Sequence, residues 1–164
     1  MTDHGDAAAI EIVRHDPSRS AALLDFLEQL ANTAEAEWFR PHPFTADHVR
    51  GIAMPSVRDL YYLLVRGADV IGYGLLRGWD EGYDVPSLGI AIHPEHRGIG
   101  LGMALMQFLH SAARMRGSAR VRLRVGDGNA AGIVLYERMG YRFEDFEDRT
   151  PSGRLVVAFK ELRN

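Results

Sequence analysis

The chain has 164 residues, 46% of them hydrophobic, and its 19 Lys and Arg against 22 Asp and Glu leave a formal net charge of −3. That length suits one domain over residues 1–164 with its own core, and the mild, dispersed charge gives no electrostatic argument for a nucleic acid or a membrane as partner. Zero cysteines exclude disulfides, thiolate metal sites and a thiol nucleophile.

Residues 1–8 are polar and acidic, a tail expected to be flexible. They lack the apolar core of a secretory segment, and no apolar run approaches the roughly 18 residues that span a bilayer, so the expected setting is cytoplasmic. Ala9 to Arg14 reads as a first strand. Asp16-Pro17 then supplies a capping side chain and a preset φ for a helix that carries Leu23, Leu24, Leu27 and Leu30 on one face and ends near Asn32. From Glu35 to Phe44 two prolines bracket His42 just after Trp38 and Phe39, which predicts an irregular, aromatic-rich connection. Thr45 caps a short helix to about Ala53.

Tyr61 to Val65 and Val70 to Arg77 read as a hairpin around Arg66-Gly67-Ala68-Asp69, and Trp79 to Pro86 as a loop. Ser87 to Ile92 is a compact apolar strand. The next helix presents Leu101, Ala104, Leu105, Phe108, Ala112 and Met115 at three-and-four spacing and ends at Gly117. Arg120 to Val125 is a strand whose Arg120, Arg122 and Arg124 share one face, read as a solvated sheet face. Asn129 to Met139 is a helix closed by Gly140, and Arg142 to Phe146 pairs with Arg154 to Glu161 around Thr150 to Gly153. The order β-α-α-β-β-β-α-β-α-β-β predicts an α/β fold, a mixed sheet with helices on both faces.

The run Pro94-Glu-His-Arg97-Gly98-Ile99-Gly100-Leu101-Gly102, between a strand and a helix, reads as an anion cradle. Glycines permit the positive φ of a tight loop and bare the backbone, so amide groups converge where a helix N-terminus already favours negative charge. The dinucleotide fingerprint fails, because Gly98 and Gly100 lead to Met103 and Gly100 and Gly102 lead to Leu105. No Gly-Lys-Ser/Thr follows for a P-loop.

Arg97-x-x-Gly100-x-Gly102 resembles the coenzyme A pyrophosphate loop of the GNAT superfamily of acyl-CoA-dependent N-acetyltransferases. Asn129-Ala-Ala-Gly-Ile-Val-Leu-Tyr136-Glu-Arg-Met-Gly140-Tyr141 resembles that family's second block, in the right order and spacing. The resemblance covers nearly the whole chain. It implies a mostly antiparallel sheet of about seven strands splayed between the fourth and fifth, and acetyl-CoA as cosubstrate with no metal.

It also implies roles. Arg97, Gly98, Ile99, Gly100, Leu101 and Gly102 would hold the pyrophosphate, Ile90, Ala91 and Ile92 would pair with the pantetheine arm, and Asn129 would hydrogen-bond the same arm, although a capping asparagine is an equal reading. Tyr136 would be the general acid for the leaving thiolate, a phenol of reference pKa about 10. Many members place a carboxylate near the middle strands. Leu88 to Ile92 has none, a departure that leaves Glu81 and Asp84 as candidate bases, with His42 next.

His93 and His96 stand three apart, but Pro94 opposes a helical presentation and no carboxylate follows at ligand spacing. No Gly-x-Ser-x-Gly nucleophile elbow is present. Direct attack by a bound amine is therefore the economical mechanism. In this architecture Trp38, Phe39, His42, Trp79 and Tyr83 would wall the acceptor site, suiting the primary amine of a small molecule. The alternatives are a protein or peptide N-acetyltransferase and, from another class, a non-catalytic coenzyme A-binding regulatory module. A monomer or a homodimer is compatible.

Overall fold

The computed structural model describes residues 9–150 and 153–162, with the side chains of residue 35 and residues 145–150 left aside. The expected tail over 1–8 and part of the closing turn lie outside the described residues. Seven strands form one sheet in the order β1-β2-β3-β4-β5-β7-β6. They are β1 (Ile10–Arg14), β2 (Leu60–Arg66), β3 (Asp69–Arg77), β4 (Ser87–Ile92), β5 (Arg120–Gly126), β6 (Arg142–Thr150) and β7 (Gly153–Glu161). Every neighbouring pair is antiparallel except β4 and β5, which are parallel.

Among the described residues four helices cover the sheet: α1 (Ser20–Ala31), α2 (Ala46–Gly51), α3 (Leu101–Met115) and α4 (Ala130–Arg138). Asp16 caps a single 3-10 turn, Pro17–Arg19, which hands the chain to α1 at Ser20, so the helix starts later than the Asp-Pro signal alone suggests. A second such turn, Ala34–Glu37, lies in the aromatic connection. β6 runs on to Thr150, past the predicted Phe146, because β7 offers it partners to the end of the hairpin, across an irregularity between Glu144 and Asp148.

Strand alternation divides the apolar side chains into two cores. On one face Leu23, Phe26, Leu27 and Leu30 of α1 and Val49 of α2 pack on Tyr61, Leu63, Tyr73 and Leu75. On the other, Leu105, Met106 and Leu109 of α3 pack on Leu88, Ile92, Val121, Leu123 and Val125, with Leu135 and Tyr136 of α4 at the margin. The α1–α2 layer rests on β2 and β3 and reaches β4 only at Ala91. The face of β5 and β7 beyond it is left without a helical cover from that layer. Among the described residues, no helix is long and apolar enough to cross a membrane.

Candidate active site

The site begins with a fault in the sheet. β4 and β5 are in register at one pair, Ser87 with Arg122, where the Arg122 amide donates to the Pro86 carbonyl at 3.0 Å. β4 is laddered to β3 along its whole length, and β5 likewise to β7. From Leu88 and Leu123 onward the two strands part, and the edges that face each other carry no mutual ladder. A strand edge of this kind offers backbone donors and acceptors to an extended, amide-bearing ligand.

At the end of β4 a 3-10 turn, Pro94–His96, leads to Gly98 at φ 80° and Gly100 at φ 88°, both in the left-handed region, and α3 starts at Leu101. A Cβ built on either glycine meets nothing within 4 Å. Protein packing therefore does not explain them; backbone conformation does, and the space over the loop stays open to a ligand. The Arg97 guanidinium donates from Nε and Nη2 to the Ile92 carbonyl at 3.1 and 3.0 Å, tying the loop to the strand end. Ile99 is 66% exposed at the loop tip. A Cβ on Gly102 would stand in ordinary contact with Ile90, Ile92 and Leu135, all on the α3–α4 face.

His93 accepts the Glu95 amide at Nδ1 (3.2 Å), and its Nε2 lies 2.9 Å from Gln29 Oε1, so both ring nitrogens are engaged. Among the described residues no cluster of three or more His, Asp or Glu could hold a metal ion.

Asn129 caps α4, its Oδ1 accepting the Gly132 amide at 3.0 Å. A Cβ on Gly132 would stand 2.6 Å from Asn129 Nδ2, so the cap requires the glycine. The capping reading of Asn129 is thus realised in the fold, and its Nδ2 donor is not used by the cap. Tyr136, about two helical turns further on, is partly buried against the α3-side core, and burial pushes its hydroxyl up to about 12. A phenol with that value is fully protonated at neutral pH and is able to donate a proton rather than accept one. The Tyr136 and Tyr141 rings are 5.9 Å apart, and the Tyr141 hydroxyl lies 2.7 Å from His110 Nε2.

On the opposite face lies a cleft of about 750 Å³. Trp38, Phe39, Tyr83, Glu81, Asp84 and Gly89 line it, as the sequence reading expects of the first five. Two consecutive aromatic residues straddle the parted strands. Phe39 packs where a Cβ on Gly89 of β4 would lie, 3.5 Å from that point, and Trp38 lies so close to Gly126 of β5 that a Cβ there would fall 1.8 Å from the indole.

Two residues expected in the acceptor wall are elsewhere. Trp79 is 7% exposed and belongs to the α3-side core, with the Arg116 guanidinium 5.1 Å above its ring. Its large apolar surface is better hidden under the sheet than in a solvated loop. His42 is 7% exposed and does not line the cleft. Its Nδ1 donates to the Pro43 carbonyl at 2.8 Å and its Nε2 accepts from the Tyr73 hydroxyl at 2.7 Å. Burial lowers it to about 4, so it is neutral and fully occupied, which removes it as a candidate base.

Other residues escaped the sequence reading. Arg120, Arg122 and Arg124, expected on a solvated sheet face, line the cleft together with Arg40, Arg77 and Phe159. Their signal was present: they alternate with Val121, Leu123 and Val125, which are core. Asp59 is 5% exposed and accepts the amides of Gly78 and Asp80 at 3.0 and 3.1 Å, while the Asp80 carboxylate takes the amides of Arg58 and Asp59. These reciprocal bonds anchor the base of the loop bearing Glu81, Tyr83 and Asp84.

A mixed sheet parted between two parallel strands, with a glycine-rich helix start on one face and a cleft on the other, defines the acyl-CoA-dependent N-acetyltransferase fold. The chain belongs to the GNAT acetyltransferase family, whose model matches residues 24–141. It is 30% identical over 87 residues to the acetyltransferase SG1711 of Sodalis glossinidius, a match covering 53% of this chain and 60% of that protein. The match thus spans less than two thirds of that relative's length. Among solved structures it is similar to YncA of Salmonella typhimurium with its cofactor acetyl-CoA, at a TM-score of 0.77 and 21% identity over 94% of this chain and 95% of that one. It is also similar to the ribosomal-protein-S18-alanine N-acetyltransferase of Escherichia coli, at 0.70 and 21% over 95% and 96%. Likeness at these identities concerns the fold.

Proposed function

We propose that this chain is an N-acetyltransferase that moves an acetyl group from acetyl-CoA to the primary amine of a small molecule by direct attack within a ternary complex. The observation that carries the reading is the parted β4–β5 pair, an unladdered strand edge with an open glycine loop at its end and a lined cleft on the far face. The residues present suit acetyl-CoA. The amides from Arg97 to Gly102 and the start of α3 would take the pyrophosphate, the free edge over Ile90, Ala91 and Ile92 the amides of the pantetheine arm, and Asn129 Nδ2 a further contact. When bound, acetyl-CoA supplies an acetyl group activated as a thioester.

Tyr136 would give its hydroxyl proton to the departing sulfur as the C–S bond breaks, and would regain one from the attacking nitrogen, which sheds its second proton as the amide forms. The proton of the incoming ammonium, reference pKa about 10.4, leaves to Glu81 or Asp84 directly or through a water, both carboxylates being on the cleft rim. Trp38 and Phe39 close the cleft above the gap between the strands, which favours a small acceptor over an extended peptide. The test measures coenzyme A release from acetyl-CoA with a panel of small amines and of peptides with free N-termini. Release with small amines is the expected outcome. Release with peptides alone would establish a protein N-acetyltransferase, and acetyl-CoA binding without release under any acceptor would establish a binding module.

A further inference from the structure

Five arginines, Arg40, Arg77, Arg120, Arg122 and Arg124, line the acceptor cleft against two carboxylates, Glu81 and Asp84, in a chain whose net charge is −3. Basic charge is therefore concentrated where the acceptor would bind. Some of it has structural work. Arg40 Nε donates to the Ala36 carbonyl at 3.1 Å, and the Arg120 guanidinium stacks 4.5 Å from the Phe159 ring. Arg77 Nη1 donates to the Pro41 carbonyl, yet its Nε is shut off from water without a hydrogen-bond partner.

Arg122 differs from these. Its Nε is also buried and unpartnered, and its guanidinium makes no hydrogen bond, ion pair or ring contact among the described residues. A guanidinium nitrogen shut off from water without a partner is costly, and the planar fork that carries it is built for two oxygens of one carboxylate or phosphate. Its position adds to the argument. Arg122 faces Ser87 at the single pair joining β4 to β5, so its Cα marks the point where the strands part. Gly89, under Phe39, is two residues along β4, roughly 7 Å at strand rise. An anion on Arg122 and an amine at the parted strands fit within one small molecule.

We infer that the acceptor is an amine carrying a carboxylate or phosphate group, with Arg122, supported by Arg77, as the anion anchor that sets specificity. This rests on the acetyl-transfer reading and narrows its substrate class. Glu81 and Asp84, on the separate loop held by Asp59, keep the cleft from being uniformly positive and are free of ion pairs to Arg77 and Arg122. A zwitterionic acceptor meets both signs.

The experiment compares matched acceptors: 2-aminoethyl phosphate against 2-aminoethanol, and β-alanine against its amide, by coenzyme A release. The acidic member of at least one pair should have the higher kcat/KM by tenfold or more, and which pair does so separates phosphate from carboxylate. Arg122→Gln should erase ten- to a hundredfold of that preference, chiefly through KM, and Arg122→Lys should restore part of it; Arg77→Gln should give a smaller loss of the same kind. Equal rates for the members of both pairs, equal losses for acidic and neutral members, or preference for an acidic peptide over every small acceptor would overturn the inference. A second readout needs no turnover. Inorganic phosphate and acetate are titrated against the full chain by thermal shift, where stabilisation by at least one, lost in Arg122→Gln, is expected. An unchanged shift in the variant overturns the anion site, whereas a normal shift without coenzyme A release from any amine leaves the anion site standing and sinks the transferase reading.

Discussion

The two faces of the sheet build their halves of the site from different materials. On the α3–α4 face the groups offered to a ligand are main chain: a strand edge without a partner, two left-handed glycines and the first turn of a helix. On the α1–α2 face they are side chains, arginines and aromatics contributed by β3, β5, β7 and two loops. A backbone site depends on conformation, so a short motif specifies it and its ligand is common to a family. A side-chain site depends on which distant residues meet, and it is there that one member differs from another.

Four experiments press on this contrast. The largest effect is expected at Tyr136, the one side chain on the backbone face given a chemical step. Tyr136→Phe should lower kcat by about a hundredfold to ten-thousandfold with the acetyl-CoA Kd unchanged, read by steady-state rates and calorimetry. An unaltered kcat would leave that face with binding alone.

Gly100→Val comes next. At φ 88° a β-branched residue is strained by about 1–2 kcal/mol, although no neighbour obstructs it. Acetyl-CoA affinity should fall by about a hundredfold, from lost amide geometry, while the melting temperature drops only a few degrees. A variant that binds normally would show that the loop does not cradle the diphosphate.

The third test concerns what the faces share. Each hides a neutral histidine against a tyrosine, His42 with Tyr73 on one side and His110 with Tyr141 on the other, both at 2.7 Å and both lowered to about 4 by burial. The unfolded histidines titrate near 6.5, so between that value and 4 the unfolded chain binds more protons and stability must fall as pH falls. The full loss is about 3 kcal/mol for each histidine. Urea midpoints measured from pH 7.5 to 4 should decline through this window, and a flat profile would contradict neutral burial.

The smallest effect is expected from Gly126→Ala, whose methyl has no room under Trp38. It should displace the indole, change acceptor KM by about tenfold, red-shift tryptophan emission and leave acetyl-CoA affinity alone. If both ligands weaken equally, the faces are not separable.

This division also accounts for what could be read in advance. Strand alternation, the Asp16 and Thr45 caps and the glycines at 98, 100, 117 and 140 are local signals, and the seven-stranded order with its parted pair follows from them and the family blocks. Trp79 and His42 read from the sequence as acceptor-wall residues because they lie in loops that border it. Their burial is decided by Arg116, Tyr73 and the cores beneath, none of which is near in sequence. The arginine stripe was discounted because nothing local says that α1 and α2 stop short of β5. Asp59 gave no signal at all, since its partners at Gly78 and Asp80 are about twenty positions away.

Because Trp38 and Phe39 are joined by one peptide bond yet rest on opposite banks of the divide, any spreading of β4 from β5 must slide at least one ring off its seat. A thioester tail that entered from the far side of the sheet and spread the strands would thereby put torque on an indole. With Trp79 sealed in the interior, the emission of Trp38 would then report occupancy of the gap.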